Sequence, residues 1–159
     1  MPERCFGKIM KFVSNETINA PLEKVWNTLT NTPVLQDWAQ SRNLTLTRSD
    51  DGASVDVGTS WSATIAVSIV KGILKAEVVK IIPSKRLVIE ASIRGIDSTI
   101  RLTVNANASG ETRLRIGTTL SSSSIMGPVA LLAIRTQEDP IARRHESLTT
   151  SLAQYISET

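Results

Sequence analysis

The chain has 159 residues, 41% hydrophobic and 21% charged, with a formal net charge of +3. That composition fits one globular domain and excludes collagen-like, low-complexity and disordered classes. The single cysteine, Cys5, rules out an internal disulfide and offers no thiolate metal cluster, and the mild positive charge permits an anionic partner without demanding one.

In chain order, Met1 to Lys8 contain no apolar core of signal-peptide length, and Cys5 there reads as an ordinary thiol. The longest apolar run, Val129 to Ile134, is far short of the roughly 20 residues a membrane span needs. The expectation is a cytoplasmic protein with no integral membrane contact, folded as a single domain over residues 1–159. Phe12 to Ala20 predicts a first strand, rich in β-favouring Val13, Thr17 and Ile18. Pro21 then suits the first turn of a helix, where its missing N–H costs nothing, and Leu22, Val25, Trp26 and Leu29 follow at helical spacing. Asn31-Thr32-Pro33 breaks that helix, and a short second one is expected over Val34 to Ala39.

The middle of the chain alternates. Leu44 and Leu46 oppose Thr45 and Thr47; Trp61, Ala63, Ile65, Val67 and Ile69 oppose Ser60, Ser62, Thr64 and Ser68. Leu74, Ala76 and Val78 oppose Lys75 and Glu77. Leu87, Ile89, Ala91 and Ile93 oppose Glu90, Ser92 and Arg94. Ile100, Leu102 and Val104 oppose Arg101 and Thr103. Leu114, Ile116, Thr118 and Leu120 oppose Arg113, Arg115 and Thr119. Turns are expected at Val70-Lys71-Gly72, Pro83-Ser84-Lys85, Gly95-Ile96-Asp97 and Asn107 to Gly110. Period-two strands with short turns make an antiparallel sheet with one apolar face, too closely spaced for parallel crossovers. Helices must cover that face. Pro128 to Thr136 is helix-like, and Asp139-Pro140 either caps a fresh helix or kinks a continuing one. Beyond it Ile141, His145, Leu148, Leu152 and Tyr155 form one helical face. The fold class is α+β.

The run Ile18-Asn19-Ala20-Pro21-Leu22-Glu23-Lys24-Val25-Trp26-Asn27-Thr28-Leu29-Thr30, then Trp38, Val57-Gly58-Thr59-Ser60-Trp61 and Ile82-Pro83-Ser84-Lys85-Arg86-Leu87, resembles the START-like (SRPBCC) superfamily, in its polyketide cyclase/dehydrase and lipid-transport branch. The likeness spans Phe12 to Ile156. It implies a helix-grip fold: a curved antiparallel sheet around a long C-terminal helix, with two short helices after the first strand and a cavity between sheet and helix. The fold alone does not choose among carriers, receptors and cyclases.

The candidate ligand-facing residues follow from the apolar registers. Trp38 and Trp61 are amphipathic anchors whose indole N–H groups need partners if buried. Ile65, Ile89, Ile93, Leu102 and Leu114 line the sheet. Ile134, Ile141, His145 and Leu148 line the helical segments. Thr118, polar on an apolar register, either meets a ligand or returns its hydrogen bond to a neighbouring strand. His145, the only histidine, is either a satisfied core residue or a general acid–base group. Arg94, Arg101, Arg113 and Arg115 share the outward register and read first as a solvated face, which the absence of stacking aromatics there supports. There is no phosphate loop, nucleophile elbow or metal-ligand spacing, so no metal, cofactor or nucleic-acid partner is expected.

These features point to a binding or carrier protein for a small hydrophobic ligand of lipid, isoprenoid or aromatic polyketide type. Two alternatives stand beside it: a cyclase or dehydrase using His145, and an interaction module using the basic outer sheet face. A homodimer is compatible with either.

Overall fold

The computed structural model describes residues 10–67, 70–122, 132 and 135–159. Strand β1 (Met10–Ile18) is followed by helices α1 (Leu22–Leu29) and α2 (Thr32–Ser41). Strands β2 (Leu46–Arg48), β3 (Ser60–Val67), β4 (Val70–Ile82), β5 (Arg86–Ile93), β6 (Ile96–Ala106) and β7 (Thr112–Ser122) come next, and α3 (Glu138–Glu158) closes the chain. The strands form one curved sheet in the order β1-β7-β6-β5-β4-β3-β2, antiparallel throughout. This is the helix-grip architecture.

The topology follows from connection lengths. Strands β3 to β7 are joined by short turns and pair with their sequence neighbours. β1 and β2 occupy opposite edges, so the intervening chain must cross the sheet, and α1 and α2 make that crossing. Pro21 stands at the N-cap of α1 rather than within its first turn. The residues that end α1 also start α2: the Asn31 side chain accepts from the Val34 N–H. The segment before β3 is tied back to this junction by Thr32 N–H to Ala53 O and Val55 N–H to Thr30 O.

Three local differences from the sequence reading have physical causes. First, the hairpin between β5 and β6 turns on Arg94-Gly95, both with positive φ (51° and 80°), so Ile93 pairs directly with Ile96. Ile96 is thus a buried strand residue and not part of the turn. Second, a bulge between Val78 and Lys80 shifts the β4 register by one residue. It lets Val78 and Ile81 both face inward while Lys80 stays outside; unbroken alternation would turn Lys80 into the core. Third, α3 starts afresh at Glu138, with Pro140 in its first turn. Its buried residues are Thr149, Leu152, Ala153 and Ile156, a stripe rotated from the predicted one so that Tyr155 stays half-exposed.

The core lies between the sheet and the helices. Ile18, Val25, Leu29, Val78, Leu87, Val104, Leu114 and Ile156 are each at most 1% exposed within it. A smaller cluster joins Met10, Phe12 and Ile96 to Leu120, Ile141 and Ala142 on α3. α3 makes its main contacts along β1, at the edge of the sheet.

Candidate functional site

The cross-strand registers place the inward residues in rows. Phe12, Thr118, Ile100 and Ile89 form one row, and Ser14, Ile116, Leu102 and Leu87 the next. Opposite the β1 and β7 ends of these rows lies the first half of α3, and from it His145 reaches the sheet. Ser14 Oγ lies 2.6 Å from His145 Nδ1, and Thr118 Oγ1 lies 2.8 Å from Nε2. The Phe12 ring sits 6.0 Å away, centroid to centroid, tilted by 32°. Each ring nitrogen therefore faces a hydroxyl. A neutral imidazole donates from one nitrogen and accepts at the other, and hydroxyls can play either role. An imidazolium would donate to both. Burial lowers the His145 pKa below its ordinary value of 6.5, so the neutral ring is favoured.

One step further along β1, Glu16 accepts a hydrogen bond from the Thr150 hydroxyl. Glu16 is thus engaged with α3 and does not contact the imidazole. Among the described residues no carboxylate touches His145. The Thr118 hydroxyl does not return to a neighbouring strand but goes to a helix histidine, across the sheet–helix interface.

The two tryptophans differ. Trp38 is half-buried and its indole donates to Ser151 Oγ at 3.1 Å, tying α2 to α3. Trp61 is only 5% exposed, on the row shared with Arg48 and Ala76, and its Nε1 has no hydrogen-bond partner among the described residues. A buried donor left unpaired is destabilising by about 1–3 kcal/mol.

The remaining candidates divide by burial. Ile93, Leu102 and Leu114 are buried in the packed wall. Ile65, Ile89, Ile141 and Leu148 keep part of their surface accessible although they face inward. Ile100, Ile116 and Leu74, which sequence reasoning does not single out, do the same. Ser14 is also missed by the sequence reading; only the pairing of β1 with β7 brings it to His145. Ile134 lies outside the described residues.

Hollows also mark the exterior. A wide one of about 830 Å³ runs over the outer face among Ser62, Lys75, Glu77, Glu90, Ser92 and Asp97. Among the described residues no group of three or more His, Cys, Asp or Glu side chains could hold a metal ion, and no helix is long and apolar enough to cross a membrane.

The family model described as Activator of Hsp90 ATPase homolog 1-like protein (AHSA1) matches residues 19–127, most of the chain. The chain belongs to the AHSA1 family. AHSA1 domains are of the START/SRPBCC type, in agreement with the helix-grip architecture. Solved structures share the fold at low identity. Protein MLL2253 from Mesorhizobium loti is 19% identical over 94% of this chain and 98% of its own, with a TM-score of 0.65. TTHA0849 from Thermus thermophilus is 16% identical over 92% and 97%, at 0.65. Protein SA2116 from Staphylococcus aureus is 11% identical over 95% and 95%, at 0.68. No curated protein matches the chain in sequence. Within this AHSA1 domain, the inner wall beside the His145 cluster is the candidate site.

Proposed function

We propose that this AHSA1 domain binds a small hydrophobic molecule against the inner face of its sheet, beside the first half of α3. The observation that carries the reading is the accessible surface left on inward-facing Ile65, Leu74, Ile89, Ile100 and Ile116, in a wall where Ala63, Val78, Leu87, Leu102 and Leu114 on the same strands are buried. Apolar surface held open to solvent in this way is unfavourable until something apolar covers it. The membership in a START-type family, whose members typically bind hydrophobic ligands, supports the same reading. Covering ~300 Å² of apolar surface contributes roughly 7 kcal/mol at ~25 cal/mol/Å². Association costs several kcal/mol of that, so the expected affinity is micromolar unless polar contacts add to it. We take the unpaired Trp61 N–H as the donor for one such contact, which favours a ligand with a carbonyl, ether or hydroxyl oxygen.

Native mass spectrometry of the purified protein tests this first, by seeking a co-purified small molecule. Titration with fluorescent fatty-acyl, isoprenoid and aromatic probes tests it second. Saturable binding that weakens in Ile100→Ala is expected. No saturable binding of any probe class, with no co-purified molecule, would sink the reading.

The hydroxyl-clamped imidazole favours a second reading, a cyclase-type enzyme in which His145 moves a proton. Both ring nitrogens are already engaged and no carboxylate among the described residues orients the ring, so binding is the stronger reading. Turnover of a reactive polyketone that is lost in His145→Gln while probe binding persists would reverse that order.

A further inference from the structure

The outer face of the sheet carries a second feature, independent of the inner wall. Gly117 lies in the middle of β7, paired with Arg101 on one side and Val13 on the other. The β1, β7 and β6 registers run through it without a bulge, and its φ is not among the positive ones. A Cβ built there meets nothing within 4 Å. Neither backbone conformation nor crowding therefore requires glycine at this position, and a glycine inside a strand weakens it. What the missing side chain does is leave a hollow of about 230 Å³ with Gly117 at its floor. That is smaller than the roughly 300–1,000 Å³ of sites for drug-sized ligands.

The rim of the hollow is basic. Arg86 and Arg115 share one cross-strand row with Thr103 between them, and Arg101 stands on the adjacent row over the floor. Lys11 and Thr119, a cross-strand pair, close the other side. No carboxylate lines it. Glu90 lies diagonally across from Arg101, yet the one ion pair within 4.0 Å among the described residues is Arg48–Asp50, on another part of the molecule. Arg86, Arg101, Arg115 and Lys11 make no side-chain hydrogen bond among the described residues either. Unpaired like charges on neighbouring positions of a sheet destabilise it. Here four converge on one recess whose floor has been kept clear.

Arg94, grouped with this face by its register in sequence, does not belong to it. It sits in the β5–β6 turn and donates to Lys71 O. Arg86, which opens β5, takes its place.

We propose that the hollow over Gly117 binds a phosphate group of a soluble ligand, held by the guanidinium groups of Arg86, Arg101 and Arg115 with Lys11 as a further cation. Guanidinium forks match phosphate oxygens two at a time, and three of them around one recess can serve a multi-oxygen dianion together. A soluble ligand is favoured over a bilayer because the floor lies below the side chains around it. A flat anionic surface would meet the exposed cations at large and gain nothing from an empty Gly117.

Inorganic pyrophosphate is the probe, titrated at low ionic strength and followed by amide shifts and calorimetry. Saturable one-site binding centred on Gly117, Arg101 and Val13 is expected. Gly117→Leu keeps every charge but fills the recess, and should weaken binding about tenfold or more, as should Arg101→Gln. Arg113→Gln, one row beyond the rim, should change it by less than about twofold. Thermal unfolding of each variant checks that it is folded. Binding by Gly117→Leu equal to that of the native chain would overturn the proposal, since diffuse charge would then account for it. So would an equal loss in Arg113→Gln, or binding to phosphatidic-acid vesicles with none to pyrophosphate.

Discussion

Two parts of the inner sheet face are built from the same strands and behave differently. At the closed end Leu87, Val104 and Leu114 meet Ile18, Val25, Leu29 and Ile156, and almost no surface is left. Toward the more open end Ile89, Ile100, Ile116 and Leu148 face inward but keep part of their surface, beside the polar cluster of Ser14, Thr118 and His145, before Ala91, Ile93 and Ile96 are buried again. α1, α2 and the last turns of α3 close the first end, and α3 docks along β1 at the sheet edge. A strand can thus seal one inward residue and leave the one two positions later partly accessible.

Substitutions at the two ends test this contrast. The largest effect is expected for Leu114→Ala at the closed end, about 2–5 kcal/mol of lost stability by chemical denaturation. Ile100→Ala at the open end should cost well under half as much, since part of that side chain is never taken from water, while weakening probe binding several-fold. Equal losses at the two sites would erase the distinction. Ser14→Ala leaves one nitrogen of the part-buried imidazole without its hydroxyl, and a loss of about 0.5–1.5 kcal/mol should follow. Trp61→Phe should shift stability by less than about 1 kcal/mol, because removing an unpaired donor offsets the smaller ring; binding of oxygen-bearing probes should weaken while that of pure hydrocarbons does not.

The smallest effect is a pH dependence. His145 has a lowered folded-state pKa, so below the ordinary value of 6.5 the unfolded chain takes up its proton first. Stability contributed by the neutral ring is whole above 6.5 and declines as pH falls from there toward the folded value. His145→Asn should flatten that slope in denaturation curves recorded on both sides of the window. A slope unchanged by the substitution would assign it to other groups.

Much of the fold is legible residue by residue. The alternation of Trp61, Ala63 and Ile65, or of Leu87, Ile89 and Ala91, marks the inward register because a strand repeats every two residues. Asn31-Thr32-Pro33 marks both a stop and a start because its backbone preferences are local. The site is legible only in pieces. His145 and Thr118 stand out as polar residues on apolar registers, but nothing in the sequence couples them to each other or to Ser14. The buried stripe of α3 departs from the sequence reading by one position, because Thr149 and Ala153 are poor hydrophobic markers and yet are the small residues that let helix and sheet approach.

Local sequence is enough to define the number and character of the strands, the existence of a terminal helix and the two faces of the sheet, all of which depend on neighbours within a few positions. Which inward residues are sealed and which stay open is set only when the segments assemble. So are the placing of His145 between two hydroxyls and the grouping of Arg86, rather than Arg94, with Arg101 and Arg115. Those outcomes depend on strand order, one bulge and the angle at which α3 docks. Each of these is fixed by packing between segments far apart in the chain, where local preference carries no information.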